Sequence, residues 1–192
     1  MQRQLIVMLK EPRAGRVKTR LGRDIGMVGA AWWFRHQTRR LLNRVVDPRW
    51  KVTLAVSPDI EGMKSRVWPA HLDRVPQGPG NLGRRMARLF HTRPPGPVCI
   101  IGADIPAIRK HHIARAFGTL GCSDAVFGPS TDGGYWLIGL KRVRRPAPGI
   151  LRDVRWSSEH ALTDSIASLG DMRIAQADTL TDVDTAADLR RA

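Results

Sequence analysis

Residues 10–22, KEPRAGRVKTRLG, concentrate basic side chains directly after the short apolar run at residues 5–9. Lys18 carries a compact ammonium and Arg20 a forked guanidinium, and both groups bind phosphate oxygens well. Thr19, between them, adds a hydroxyl donor. We therefore expect this loop to bind an anionic group, and the alternative is a basic loop that simply faces solvent.

The backbone of the same loop is shaped by a proline and a glycine. Lys10 opens the basic run, Pro12 stiffens the turn, and Gly15 lets the backbone approach an anion closely. The sequence GRVKT is not part of a P-loop, because it lacks the first glycine and the glycine before the lysine that this motif requires. The position of the loop after the first predicted strand still favours anion binding.

Carboxylates follow apolar segments at two places further along the chain. Asp104 lies in IIGADIP, where a buried carboxylate is costly unless it is paired or binds a cation. We expect Asp104 to bind Mg²⁺ or Mn²⁺, and the alternative is an aspartate that caps a turn before Pro106. Asp182 and Asp184, in TLTDVDTAADL, are the candidates for a second ligand. The alternative for Asp184 is the N-cap of the last helix.

A tight turn, Asp132-Gly133-Gly134, separates two apolar runs within GPSTDGGYWLIGL. The two glycines would let a substrate lie against the backbone while Asp132 bonds to it. An ordinary hairpin is the simpler interpretation, because Asp-Gly is a strong hairpin signal.

A second glycine-containing loop, in VPQGPGNLGRRM at residues 75–86, runs into a predicted helix that Asn81 could cap. The amide of a glutamine can read a base edge or a sugar, and an arginine can reach phosphate. The residues that could contact a nucleotide are Gln77, Gly78, Arg84 and Arg85. The alternative is a flexible loop followed by a solvent-exposed helix face.

Hydrophobic periodicity predicts the elements that position these residues. Strands are predicted at residues 5–9, 51–58, 97–102, 124–129, 135–140 and 172–176. Helices are predicted at residues 30–46, 81–90, 111–121, 157–170 and 184–192. Alternating strands and helices, with several strands apolar throughout, predict an α/β protein whose mostly parallel sheet is covered on both faces. Ligands bind such sheets at the carboxyl ends of the strands, where the candidate loops lie.

The whole chain of 192 residues is strongly basic, with a formal net charge of +15. This charge admits nucleic acid, anionic lipid or phosphorylated small molecules as partners. Residues 157–192, however, contain seven acids against three arginines, so nucleic acid is not the expected partner. We expect a single domain over residues 1–192 without a membrane span. Cys99 and Cys122 are the only cysteines, and Cys99 is predicted to be a buried thiol, which fits a reducing cytoplasm.

Six segments occur in the order typical of one family: KEPRAGRVKTRLG, QGPGNLGRRM, IGADIP, GPSTDGGYWLIGL, WSSEH and DVDTAADL. Through them the chain resembles the bacterial glycosyltransferase-like family called transferase 1, rSAM/selenodomain-associated. That family belongs with the GT-A-type nucleotide-diphospho-sugar transferases and is similar in outline to molybdenum-cofactor nucleotidyltransferases and phospholactate guanylyltransferases. The resemblance covers nearly the whole chain. It implies a Rossmann-like, three-layer α/β/α sandwich of GT-A type with seven or so strands.

The resemblance, taken with the residue chemistry, implies roles for individual side chains. Nucleotide binding is expected of Lys10, Pro12, Gly15, Lys18, Thr19, Arg20, Gln77, Gly78 and Arg85. The acceptor side is expected to be lined by Asp132, Gly133, Gly134, Tyr135, Trp156 and Ser157. Asp104 would hold the divalent metal with Asp184 or Asp182, and Lys18 and Asp104 are the expected catalytic residues.

Two positions depart from the family pattern. Ile105 stands where a cysteine is common, and Ala186 stands where a proline is common. Neither departure removes a carboxylate, so the expected function is a metal-dependent transferase that uses an NTP or nucleotide-sugar donor and a small-molecule acceptor. Glycosyl transfer and nucleotidyl transfer both remain open. The alternatives are a non-catalytic nucleotide-binding relative and a basic nucleic-acid-binding module.

Overall fold

The computed structural model describes residues 1–143 and 145–191, so Ala192, in the last predicted helix, lies outside the described residues. The strands are β1 (Gln4–Lys10), β2 (Lys51–Ser57), β3 (Asp73–Pro76), β4 (Val98–Ile101), β5 (Ala125–Pro129), β6 (Tyr135–Leu140) and β7 (Ile174–Gln176). The helices are α1 (Thr19–Ile25), α2 (Met27–Val45), α3 (Asp59–Lys64), α4 (Leu82–Thr92), α5 (Lys110–Thr119), α6 (Ala161–Ala167) and α7 (Ala186–Arg191).

The strands form a seven-stranded sheet in the order β3-β2-β1-β4-β6-β5-β7. Neighbouring strands pair in parallel except around β6, which is antiparallel to both β4 and β5. A short turn joins β5 directly to β6, and so short a connection permits only antiparallel pairing. The structure thus confirms the predicted α/β class with a mostly parallel sheet.

Helices cover both faces of this sheet. In β1, Leu5 and Val7 pack in the cluster that includes α2 and α5, whereas Ile6 packs with α4 on the opposite face. All three side chains are fully buried, which explains why the strand is apolar at successive positions. Cys99, in β4, is a buried free thiol as predicted. Among the described residues, no helix has both the length and the apolar character that a bilayer crossing needs.

The predicted start of α4 is confirmed, whereas the predicted start of α6 is wrong. Asn81 caps α4 as predicted, because its Oδ1 accepts a hydrogen bond of 3.0 Å from the backbone N–H of Arg84. The helix predicted from Ser157 or Ser158 begins only at Ala161. Ser157 adopts a left-handed φ of 62°, and the Ser158 hydroxyl donates back to the Arg155 carbonyl, so these residues form a turn before the helix.

Candidate active site

The three carboxylates predicted as metal ligands meet at the C-terminal edge of the sheet. Asp104 follows β4, and Asp182 and Asp184 lie in the segment between β7 and α7. One oxygen atom of each carboxylate lies within 4.8 Å of the corresponding atoms of the other two. Strands that run in parallel end at the same edge, which brings together residues far apart in the chain. We call these three residues the acid cluster.

The ammonium of Lys18 lies inside the acid cluster. Its Nζ is 2.8 Å from Asp104 Oδ2, 2.7 Å from Asp184 Oδ1 and 4.0 Å from Asp182 Oδ2. Burial alone would lower the pKa of Lys18, but the carboxylates of Asp104 and Asp184 outweigh it and raise the pKa. Lys18 is therefore charged and holds these carboxylates together. Its backbone is left-handed, with φ 45° and ψ 49°, a conformation that is uncommon for non-glycine residues.

The donor set of the acid cluster fits a hard divalent cation. Arg20 donates to Asp184 Oδ2 at 3.1 Å, so three carboxylates face two cations and one negative charge is in excess. Burial, and then the charge of Asp184, raises the pKa of Asp182 from 3.8 to about 6. Burial and the neighbouring carboxylates both disfavour the ionised form of Asp182, and a cation beside it would offset both effects. Three carboxylates are ligands suited to Mg²⁺ or Mn²⁺.

The raised pKa of Asp182 predicts a pH-dependent stability. Its folded pKa of about 6 lies above the usual pKa of about 3.9 in the unfolded chain. The folded state therefore holds more protons between these values, and the free energy of unfolding falls as the pH rises through this range. Without metal, Asp182→Asn should match the wild type near pH 4 and exceed its stability by roughly 2 kcal/mol near pH 7.

Urea unfolding of both proteins in EDTA at several pH values measures this difference. A difference that stays constant with pH would show that Asp182 titrates normally. Saturating Mn²⁺ near pH 7 should reverse the order, because only the wild type keeps all three ligands.

Apart from Lys18 and Arg20, most residues of the predicted phosphate loop are exposed. Lys10 is exposed at the end of β1, and Thr19 is exposed at the start of α1. Gly15 has a left-handed φ of 74°, and no atom lies within 4 Å of where a Cβ would stand, so its backbone faces open space. The other cations of the loop, Arg13 and Arg16, instead lie 3.0 Å and 4.0 Å from the carboxylate of Glu61.

Gln77 and Arg85 were predicted to contact a nucleotide, and the structure places both in internal hydrogen bonds. Gln77 is only 3% exposed, and its amide donates to the carbonyls of Leu9 and Ala55, in the C-terminal halves of β1 and β2. Arg85 donates to the Gly80 carbonyl and to Gln77 Oε1. These contacts brace the loop rather than present the Gln77 amide to a ligand.

Gly78 is held by the residues around it. Its φ is 76°, and its N–H donates to Asp59 Oδ1 at 3.1 Å. The Arg88 guanidinium lies where a side chain at position 78 would stand, and it donates to the carbonyls of Gln77 and Pro79. Arg88 was not singled out in the sequence, because one arginine among several on α4 carries no distinguishing signal.

The Asp132-Gly133-Gly134 turn is the hairpin between β5 and β6, as the simpler interpretation predicted. Asp132 Oδ1 accepts hydrogen bonds from Ser130 Oγ at 2.6 Å and from the Gly134 N–H at 3.0 Å. Partial burial opposes these bonds, but they lower the pKa of Asp132. Ser130 pairs with Leu180, and Thr131 Oγ1 lies 3.5 Å from Thr181 Oγ1, which places the turn beside the segment that contains Asp182.

Gly133 connects this turn to the segment before α6. Its φ is 83°, and a Cβ there would stand 2.4 to 2.8 Å from backbone atoms of Glu159. The Gly133 carbonyl also accepts a hydrogen bond of 3.1 Å from the N–H of Leu162. The hairpin therefore packs directly on the backbone of the segment that contains Trp156 and Ser157.

The remaining acceptor candidates differ in their exposure. The Tyr135 hydroxyl is hydrogen-bonded to Ser165 Oγ at 3.1 Å, and burial raises the pKa of Tyr135. Its ring meets that of Trp156 edge-on, with centroids 6.4 Å apart, and Trp156 Nε1 is buried without a hydrogen-bond partner. Ser157 is exposed. Tyr135 thus contributes packing, whereas Ser157 remains accessible.

One residue that the sequence did not single out helps to place the acid cluster. The carboxylate of Asp24 accepts a hydrogen bond of 2.9 Å from the N–H of Ala186, which joins the end of α1 to the start of α7. This contact holds the segment that contains Asp184 against the loop that contains Lys18. No local pattern could indicate it, because the two residues are 162 positions apart.

A seven-stranded, mostly parallel sheet with this topology is the Rossmann-like fold of the GT-A nucleotide-diphospho-sugar transferases. A profile of the family described as "Uncharacterized protein conserved in bacteria (DUF2064)" matches residues 41–158, and the chain belongs to this family. No curated protein gives a significant sequence match to the chain.

Solved structures show the same fold. A protein from Desulfovibrio desulfuricans G20, assigned as a nucleotide-diphospho-sugar transferase, has 26% identity and a TM-score of 0.81 over 96% of this chain and 84% of its own. The 4-diphosphocytidyl-2C-methyl-D-erythritol synthase of Anaerococcus prevotii DSM 20548 has 9% identity and a TM-score of 0.59 over 99% of this chain and 93% of its own. Glucosyl-3-phosphoglycerate synthase from Mycobacterium tuberculosis, in complex with Mn²⁺, UDP and glucosyl-3-phosphoglycerate, has 14% identity and a TM-score of 0.51 over 100% of this chain and 75% of its own.

Proposed function

We propose that this protein is a metal-dependent transferase that uses an NTP or a nucleotide sugar as its donor. The observation that carries the proposal is the acid cluster, with Lys18 inside it, at the C-terminal edge of a GT-A sheet. Relatives of the same fold include one assigned to nucleotide-diphospho-sugar transfer and one that holds Mn²⁺ and UDP. The site draws residues from position 18 to position 184, which supports one domain over residues 1–192.

The residues of the site would have different roles in binding a diphosphate. Asp104, Asp182 and Asp184 would hold Mg²⁺ or Mn²⁺, which when bound supplies positive charge to the donor's phosphates. Lys18 and Arg20 add positive charge beside the cluster, where it would stabilise negative charge that develops on the leaving group. The exposed backbone around Gly15 leaves room for phosphate oxygens to approach the loop.

The acceptor would enter on the side of the Asp132-Gly133-Gly134 turn and Ser157. Its hydroxyl or phosphate would attack either the sugar C1, with release of a nucleoside diphosphate, or the α-phosphorus, with release of pyrophosphate. Once a donor that the protein consumes is known, the product that accumulates distinguishes the two reactions. Nucleoside diphosphate indicates glycosyl transfer, and pyrophosphate indicates nucleotidyl transfer.

A thermal-shift screen of NTPs and nucleotide sugars, with and without Mg²⁺ or Mn²⁺, tests the proposed donor and metal. At least one nucleotide at millimolar concentration should raise the unfolding temperature by about 5 °C, and only with metal. Asp104→Asn should abolish this increase, because it removes a ligand from the acid cluster. The control is Asp73→Asn, on β3, whose carboxylate pairs with Lys51 away from the site.

Two outcomes would contradict the proposal in different ways. If no nucleotide stabilises the protein at millimolar concentrations, the donor class is wrong. If Asp104→Asn keeps the stabilisation with the same metal dependence, the metal is bound elsewhere.

A further inference from the structure

The face of the sheet that carries α2 and α5 concentrates positive charge. Helix α2 contains four arginines and one histidine, and α5 contains one lysine, one arginine and two histidines. Neither helix contains an acidic residue. This face therefore differs from the sheet edge, where the acid cluster collects carboxylates.

An open surface depression of about 1270 Å³, which we call the α2–α5 cleft, is lined by residues at the end of α2, along α5 and in the adjoining loops. Its cationic side chains are those of Arg44, Arg49, Arg109, Lys110 and Arg115. Some of these charges are compensated, because Asp47 lies 2.7 Å from Arg49 and 4.0 Å from Lys110. Arg115 is likewise paired, at 2.8 Å, with Asp178. In the described residues, no carboxylate forms an ion pair with the two remaining arginines of the cleft.

Those two arginines, Arg44 and Arg109, converge on one neutral oxygen. Arg44 NH2 donates to the Pro106 carbonyl at 3.0 Å, and Arg109 NH1 donates to the same carbonyl at 2.6 Å. Arg44 Nε is buried without a hydrogen-bond partner. Burial, and then the charges of Arg109 and Arg40, lowers the pKa of Arg44. Like charges held together without an anion repel each other, and an anion bound between them would remove that cost.

We propose that the α2–α5 cleft binds a phosphate group, with Arg44 and Arg109 as its main donors and Lys110 beside them. Guanidinium groups match the geometry of phosphate oxygens, and two of them can bind one phosphate from two directions. The cleft is lined by none of the residues of the acid cluster, so this site is additional to the proposed donor site. Its ligand is either a free polyphosphate or the backbone of a single-stranded nucleic acid.

Helix α2 extends the basic surface beyond the cleft toward an exposed aromatic pair. Trp32 is 63% exposed, and its ring lies 3.9 Å from that of His36, centroid to centroid. Exposed aromatic rings next to a basic track allow bases to stack while phosphates are bound. A contribution of Trp32 to affinity therefore distinguishes a nucleic-acid strand from a free polyphosphate.

Binding of labelled decauridylate by fluorescence anisotropy, and of tripolyphosphate by calorimetry, tests the cleft. Both are measured in EDTA, so that metal at the acid cluster cannot contribute. Arg44→Gln/Arg109→Gln should weaken binding about tenfold or more. The charge-matched control Arg145→Gln/Arg152→Gln should change it by about twofold or less, since that loop places Ile150 and Leu151 on the opposite face of the sheet.

The measured affinities either support or overturn phosphate binding in the cleft. An equal loss of affinity in both double variants would overturn the proposal, and so would the absence of binding of either ligand to the wild type. A loss of affinity in Arg44→Gln/Arg109→Gln but not in the control supports the proposal. If Trp32→Ala also weakens binding of decauridylate but not of tripolyphosphate, the ligand is a nucleic-acid strand. Because Arg44 is half-buried, the exposed single variant Arg109→Gln is measured too. Metal-dependent nucleotide stabilisation should survive in all of these variants, which checks their folding independently.

Discussion

Lys18→Met should bind Mn²⁺ about ten times more tightly than the wild type in the absence of nucleotide, and bind nucleotide more weakly once metal is saturating. The first effect arises because the Lys18 ammonium lies 2.7 to 2.8 Å from two of the three carboxylates and competes with any cation. The second effect arises because the variant lacks a positive charge for the phosphates. Methionine keeps a side chain of similar length in this buried position.

Opposite changes in the two affinities separate this mechanism from general damage to the site. Calorimetry with Mn²⁺ alone gives the first affinity, and nucleotide titration at saturating Mn²⁺ gives the second. The control is Arg20→Met, which removes a cation that contacts Asp184 but is 67% exposed. Solvent screens an exposed pair, so the control should change metal affinity by only about twofold. Weaker metal binding in Lys18→Met would show that the ammonium does not compete.

Gly133→Ala should lower the free energy of unfolding by about 3 kcal/mol. A methyl group at this position would meet the Glu159 backbone at 2.4 to 2.8 Å, and backbone atoms cannot rotate away as a flexible side chain can. The left-handed φ of 83° adds strain for any residue other than glycine. The variant must therefore separate the hairpin from the segment before α6.

Gly15→Ala is the matched control for this steric effect. Gly15 has a similar φ of 74°, but no atom lies within 4 Å of the position that its Cβ would take. Gly15→Ala should therefore lower the free energy of unfolding by only about 1 kcal/mol, the cost of the left-handed φ for alanine. Urea unfolding of both variants isolates the contribution of the contact with Glu159. Equal losses would show that the segment before α6 moves aside without cost.

The strands of the sheet could be predicted because their signals are local, and the candidate carboxylates could be singled out by type. Each strand is marked by its own apolar run, and strands of a parallel sheet end at one edge, where Asp104 was expected. The meeting of Asp104 with Asp182 or Asp184 was implied by the resemblance of the six segments to one family. The antiparallel direction of β6 follows from the short Asp-Gly turn that precedes it. These inferences need no knowledge of distant contacts.

The partner of Lys18 and the role of Gln77 could not be predicted in the same way. An ammonium after a strand is equally suited to phosphate and to carboxylate, and only the folded chain brings it within 2.7 Å of Asp184. Gln77 lies in a polar, glycine-containing loop, which is typical of exposed residues, yet its amide bonds to the carbonyls of Leu9 and Ala55. Both assignments depend on residues more than twenty positions away.

The distance in sequence between Lys18 and Asp184, 166 positions, has a consequence for biosynthesis. A nascent chain can pair β1, β2 and β4, and join Lys18 to Asp104, before the ribosome has reached Asp182. The other two carboxylates of the cluster, Asp182 and Asp184, are synthesised later, next to Ala186, whose N–H donates to Asp24. A nascent chain that has not reached residue 182 therefore lacks two of the three carboxylates of the acid cluster, so the proposed cation site would form only after residues 182–186 are in place.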